Sequence, residues 1–166
     1  MMIFLMKNFI LLYLINVKKS YFTFGEKDSS NYIIRTGMVS NINDKDFIYK
    51  VLYSKITTLF EEKIIVRRMY INLFSPNEEP NKHIDSDNSN DKTIIYFPDT
   101  ELSCSNNKGE TIFFDEIEHV SYGVQPIPNR LIIFPSNILH SASSFRNKWR
   151  FTIAIKISFL VCNDGV

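Results

Sequence analysis

The chain has 166 residues, of which 45% are hydrophobic and 22% charged, with a formal net charge of +1. This length suits one domain with a sizeable core and leaves little room for a second. The apolar share excludes a disordered chain, and the near-neutral balance gives no electrostatic reason to expect nucleic acid as a partner. Cys104 and Cys162 form no C-x-x-C. They read as free thiols in a reducing compartment, so neither a thiolate zinc site nor a disulfide framework is expected.

In chain order, residues 1–17 are apolar apart from Lys7, Asn8 and Asn16. A membrane span needs ~20 such residues, and a secretory signal needs a basic start and a small-residue cleavage site that are absent here. The favoured reading is a buried strand or helix that closes the domain in a cytoplasmic protein. The alternative is a membrane anchor with the rest of the chain facing the cytoplasm, since Lys18 and Lys19 follow the stretch. Residues 20–42 mix aromatics with Gly25 and Gly37, as in short strands and turns.

Asn43 or Asp44 is placed to cap a helix through residues 44–63, with Ile48, Leu52, Ile56 and Leu59 on one apolar stripe beside Val51 and Phe60. A support helix packed on a sheet is the expected role. From Lys63 the period shortens. Strands are predicted over residues 63–74, 93–97, 109–114, 130–136 and 149–161, with polar loops at 75–80, 86–92 and 98–108. One helix followed by short strands and turns implies a mainly β sandwich or barrel with a helical buttress.

Two of the three histidines fall in a spaced frame: His83-x-Asp85, then His140 57 residues later, then Arg150 ten residues beyond. On an extended segment His83 and Asp85 share one face, with Ile84 directed into the opposite layer. His140 follows an apolar strand, which places it near that strand's end at the rim of a barrel. Two imidazoles and one carboxylate can hold one face of an Fe(II) ion and leave the other open. Arg150 and Thr152 share a second i, i+2 face, where a planar guanidinium and a hydroxyl match a carboxylate.

Singly, each residue has a plainer role: a solvated loop histidine, a hydrogen-bonded core histidine, a structural arginine. The metal reading is preferred because all four fit one frame. His119 has no such frame and reads as surface. Asp87 and Asp115 read as loop and strand-end carboxylates, and Trp149 as a packing residue turned away from Arg150.

The stretches RRMYINLFSPNEEPNKHIDSD, KGETIFFDE and RLIIFPSNILHSASSFRNKWRFTIAI resemble the 2-oxoglutarate/Fe(II)-dependent oxygenases, in particular their small prolyl 4-hydroxylase-like branch. The resemblance runs from about Arg67 to Ile157. It implies a double-stranded β-helix (jelly-roll) core over about residues 63–160, with residues 1–62 adding strands and the support helix to a single domain. It implies Fe(II) on His83, Asp85 and His140. It also implies 2-oxoglutarate held at its distal carboxylate by Arg150 and Thr152, with Tyr70 as a further donor and Tyr96 as a weaker candidate for the pocket wall.

Dioxygen as co-reactant, ascorbate as an accessory reductant, and hydroxylation of a prolyl or other protein residue, or of a small metabolite, follow from the same likeness. Succinate and carbon dioxide would be the coproducts. The chain departs from the family at Lys108, where relatives carry the first glycine of G-G-E-T, and at Pro128-Asn129-Arg130, where they carry a turn glycine. Asparagine tolerates the left-handed conformation that such a turn needs. Two other classes compete: a cupin-like metal enzyme that uses no 2-oxo acid, against which Arg150-x-Thr152 argues, and a non-catalytic binding module on the same fold.

Overall fold

The computed structural model describes residues 2–5, 21–25, 36–98 and 108–160. Among the described residues the strands are β1 (Met2–Leu5), β2 (Thr23–Phe24), β3 (Met38–Asn41), β4 (Ile64–Phe74), β5 (Lys92–Tyr96), β6 (Thr111–Phe114), β7 (Val120–Val124), β8 (Arg130–Pro135), β9 (His140–Ala142) and β10 (Arg150–Phe159), and a helix, α1 (Phe47–Thr57), lies between β3 and β4. The strands form two antiparallel sheets. The larger has the order β1-β8-β5-β10-β4-β3-β2, and the smaller has the order β7-β6-β9. A two-residue bridge between His83 and His140 extends the small sheet beyond β9. The result is a mainly β jelly roll with a helical buttress: the pattern of elements predicts the buttressed sandwich or barrel, and the family resemblance the jelly roll.

The period-2 pattern of the central strands builds two layers at once. On β10, Ile153, Ile155 and Ile157 join Met69, Ile71 and Ile94 in a core that takes Ile48, Leu52 and Ile56 of α1. Arg150, Thr152 and Ala154 face the other way, into a cavity between the sheets. Beside that cavity Ile95, Phe97, Phe113, Val124, Ile132 and Phe134 form a second apolar cluster that fastens the small sheet to the large one.

Several local expectations shift. The helix starts at Phe47 with Asp46 as its N-cap, later than an Asn43 or Asp44 cap would place it. The reason is a turn in which Asp46 N–H donates to Asn43 O at 2.9 Å and Asp46 Oδ2 accepts from Asn43 N–H at 2.7 Å. The helix ends six residues before the predicted limit, where the Thr58 hydroxyl donates to Lys55 O at 2.7 Å and Leu59 N–H to Ile56 O at 2.9 Å. Such i→i−3 bonds tighten a last turn. β7 and β9 are strands that the sequence pattern does not reveal. β7 is an edge strand with Val120 to Gly123 exposed, and β9 has three residues.

Asn129 adopts φ 61°, so the turn without glycine forms as expected, and Lys108 adopts φ 57° at the family's glycine position. Gly109 next to it has no such latitude. Its φ is 96°, and a Cβ there would stand 2.3 Å from the Phe145 ring.

The N-terminal stretch is a strand at residues 2–5, paired antiparallel with β8. Residues 1 and 6–17 lie outside the described residues, as do Cys104 and Cys162. Among the described residues no helix is long and apolar enough to cross a membrane.

The packing of α1 gives a direct stability test. Ile56 is fully buried between helix and sheet, so Ile56→Ala should cost about 2–5 kcal/mol, read as a lower urea midpoint in an equilibrium melt.

Candidate metal centre

The positions of His83 and His140 follow from backbone pairing. His83 N–H donates to His140 O at 2.9 Å, and His140 N–H donates to His83 O at 3.0 Å. Residues that exchange both bonds in an antiparallel pair put their side chains on one face, and the two imidazole centroids are 4.5 Å apart. Asp85 is two residues on, anchored by its N–H to Ser136 O at 2.8 Å. Its carboxylate meets both rings: Oδ1 is 3.5 Å from His83 Nε2 and Oδ2 is 3.6 Å from His140 Nε2. All three ligand atoms lie within 4.8 Å of one another.

His140 therefore begins β9 rather than ending β8. A turn at residues 136–139 carries the chain from one sheet to the other. Ile84 is 38% exposed instead of entering a second layer, because the H-x-D segment forms the edge of the small sheet beside β9.

The donor set fits a divalent ion. His83 Nδ1 is 3.1 Å from Asn81 O, and His140 Nδ1 is 2.9 Å from Ile138 O. Carbonyls only accept, so each Nδ1 carries a proton and each ring turns its Nε2 towards Asp85. Burial, helped by His83 and opposed by the Asp85 carboxylate, lowers the His140 pKa to about 4, so the ring is neutral at pH 7. Burial would raise Asp85, yet His83, His140 and Lys156 around it hold the carboxyl well below its usual range. The two Nε2 atoms and an ionised carboxylate thus converge in a buried place, where the Lys156 ammonium 3.1 Å from Asp85 Oδ1 makes an ion pair but no hydrogen bond of good geometry. A divalent ion would engage the two ring nitrogens as well as the carboxylate, which the ammonium cannot. The mixture of imidazole and carboxylate without thiolate suits Fe(II) or Mn(II) better than a structural zinc.

The cavity beside this cluster is lined by Tyr70, Asn72 and Phe74 of β4, by Thr93 and Ile95 of β5, and by Arg150, Thr152 and Ala154 of β10. The structure therefore brings together all six residues singled out for metal and cosubstrate. Arg150 is 2% exposed. Its Nε donates to Gly109 O at 3.0 Å and an Nη to Thr111 Oγ1 at 3.1 Å, with the Phe74 and Phe97 rings 5.8 and 5.7 Å from the guanidinium carbon. Tyr70 lies under the Arg68 guanidinium at 4.0 Å.

Tyr96 is not in the wall. It pairs with Ile153 and Leu131 on the helix-facing side, where its hydroxyl donates to Asn129 Oδ1 at 2.8 Å and burial pushes its pKa up to about 12. Ile95, of the opposite parity, takes that place. Trp149 is 45% exposed rather than packed, and His119 and Asp87 are exposed as expected.

Three residues of the site escape the motif frame. Thr93 Oγ1 donates to Asp85 Oδ2 at 2.5 Å and lies 2.9 Å from Ser136 Oγ. Asn72 lines the cavity with its Oδ1 buried and without a hydrogen-bond partner. Lys156 Nζ is 3.1 Å from Asp85 Oδ1. Strand parity would have found two of them, because Asn72 is i+2 from Tyr70 and Lys156 is i+6 from Arg150.

No protein-family model matches the sequence, and no curated protein is significantly similar to it. Solved structures are similar in fold. A prolyl hydroxylase from Trichoplax adhaerens, in complex with a hypoxia inducible factor oxygen degradation domain peptide fragment, superposes with a TM-score of 0.72 at 16% identity, over 95% of this chain and 83% of its own. The viral collagen prolyl hydroxylase from Paramecium bursaria Chlorella virus 1, in its 2OG complex, gives 0.66 at 11% identity, over 96% and 95%. A Pseudomonas putida prolyl-4-hydroxylase gives 0.59 at 12% identity, over 77% and 74%. At these identities the likeness establishes the fold: the chain has the double-stranded β-helix of the prolyl hydroxylases.

Proposed function

We propose that this protein is a 2-oxoglutarate- and O2-dependent Fe(II) dioxygenase of the small prolyl 4-hydroxylase-like branch, acting as a hydroxylase from a single domain. One observation carries the reading. The Nε2 atoms of His83 and His140 and the Asp85 carboxylate converge in the same cavity whose wall contains the buried Arg150 and Thr152. A metal protein that uses no 2-oxo acid has no need of a buried cation and hydroxyl on that wall. The fold likeness to prolyl hydroxylases supports it independently.

In this reading His83, Asp85 and His140 hold the ion. Bound there with 2-oxoglutarate and dioxygen, Fe(II) supplies the oxidising chemistry, and succinate and carbon dioxide are released. The remaining work belongs to the chain. Arg150, oriented by Gly109 O and Thr111 Oγ1, presents its planar fork to the distal carboxylate of 2-oxoglutarate, and Thr152 adds a hydroxyl donor. Tyr70 contributes a phenol on the neighbouring strand. Phe74 and Ile95 exclude water from the cavity and strengthen these charged contacts. Ascorbate would serve to keep the iron reduced. The substrate class best supported is a prolyl or other residue in a peptide, given the peptide bound to the Trichoplax enzyme, with a small metabolite as the alternative.

Succinate release from 2-oxoglutarate, dependent on Fe(II) and oxygen, tests the assignment, with proline-containing peptides and metabolites supplied as substrates. His140→Ala should abolish both stoichiometric Mn(II) binding and succinate release while circular dichroism stays unchanged. Full metal occupancy in that variant would show the ligand set to be wrong. Arg150→Ala should keep the metal but raise the 2-oxoglutarate concentration for half-maximal turnover by about 100-fold. Arg150→Lys, which keeps the charge without the fork, should fall between the two. An unchanged requirement in both variants would remove Arg150 from the cosubstrate site.

A further inference from the structure

Lys156 follows Arg150, Thr152 and Ala154 on the same face of β10, and its chemistry does not suit a plain sheet position. The register sets it directly opposite Arg68 on β4 and Thr93 on β5. Like charges opposed across an antiparallel pair destabilise it. Arg68 turns to the Tyr70 ring and to Asn41 Oδ1, at 3.3 Å. Lys156, whose side chain is only 13% exposed, instead brings Nζ to 3.1 Å from Asp85 Oδ1. Asp85 borders both the metal cavity and a second, polar cavity with Asp91, Ser136 and Ser158 in its wall, whereas Lys156 borders only the second. The ammonium thus approaches the ligand carboxylate from behind, while Thr93 holds the other oxygen.

We propose that Lys156 is a positioning residue that acts through Asp85, setting how much negative charge that carboxylate offers to a divalent ion and how strongly the loaded site attracts an anionic cosubstrate. The inference rests on the dioxygenase reading above. A carboxylate shared with an ammonium donates less to a metal, and the ammonium and the metal repel each other across a few ångströms of poorly screened interior. The same extra positive charge draws a dianionic 2-oxo acid towards the loaded site. Lys156 therefore weakens metal binding and strengthens cosubstrate binding. A residue that only filled space would, on removal, weaken both.

The test uses binding and needs no turnover. Lys156→Met keeps the aliphatic stem and removes the charge, Lys156→Arg keeps the charge, and Lys156→Gln serves if the methionine variant does not fold. Titration calorimetry gives the Kd for Mn(II), then the Kd for 2-oxoglutarate on the Mn(II)-loaded protein. The neutral variant should bind Mn(II) about tenfold more tightly and 2-oxoglutarate about tenfold more weakly, with Lys156→Arg restoring both towards the parent values. Both affinities falling together, or neither moving, would overturn the inference while leaving the dioxygenase reading intact. No Mn(II) binding by the parent protein would overturn that reading and this inference with it.

Discussion

The double backbone hydrogen bond between His83 and His140 is the constraint on which the rest of the centre depends. It joins residues 57 apart in sequence and leaves neither imidazole free to choose its side of the sheet. Once the pair forms, Asp85 falls two residues further along the same edge, held by Ser136 O. The Nδ1 contacts to Asn81 O and Ile138 O then fix the rotation of each ring. Three side chains converge because three short stretches of backbone are pinned, and the side chains themselves supply little of the precision. A site built this way holds its geometry before any ligand arrives.

The second organising feature is the division of β10. Its odd-numbered isoleucines bind the sheet to α1, and its even-numbered positions supply a guanidinium, a hydroxyl and an ammonium to the cavity side. Burying an ion costs several kcal/mol, and an arginine, an aspartate and a lysine are buried or nearly so within a few strands of one another. Stability alone does not call for such a set, because apolar residues of similar volume would serve the core as well or better. The isoleucine layer behind the strand and the aromatic cluster beside the cavity offset the cost. This juxtaposition of a well-packed face and an electrostatically expensive one is what marks the cavity as a functional site.

Much of this is legible in the sequence because it rests on period and spacing. The strands with strong apolar alternation are predicted nearly to their ends, and α1 is found from its stripe of Ile48, Leu52 and Ile56. His83, Asp85, His140, Arg150, Thr152 and Tyr70 are recognisable from a shared frame, and the structure sets all six around one cavity. What escapes is what depends on partners elsewhere. β9 has three residues and exists because β6 and His83 pair with it. β7 is an exposed edge that lacks the hydrophobic alternation of a half-buried strand. Tyr96 and Ile95 exchange roles because one residue of parity separates the cavity from the helix-facing core. Thr93 gains its meaning only from the carboxylate it meets, which no local pattern announces.

The central claim is that one cavity holds a divalent iron and a 2-oxo acid together. It is tested most directly by adding Fe(II) and 2-oxoglutarate to the purified protein without oxygen and recording the visible spectrum. A weak charge-transfer band that requires both additions, and disappears in His83→Ala, is the predicted result, since only a 2-oxo acid chelated to iron on these ligands gives it. Iron bound at stoichiometry with no band at saturating 2-oxoglutarate would contradict the account and point to a metal protein that does not use this cosubstrate.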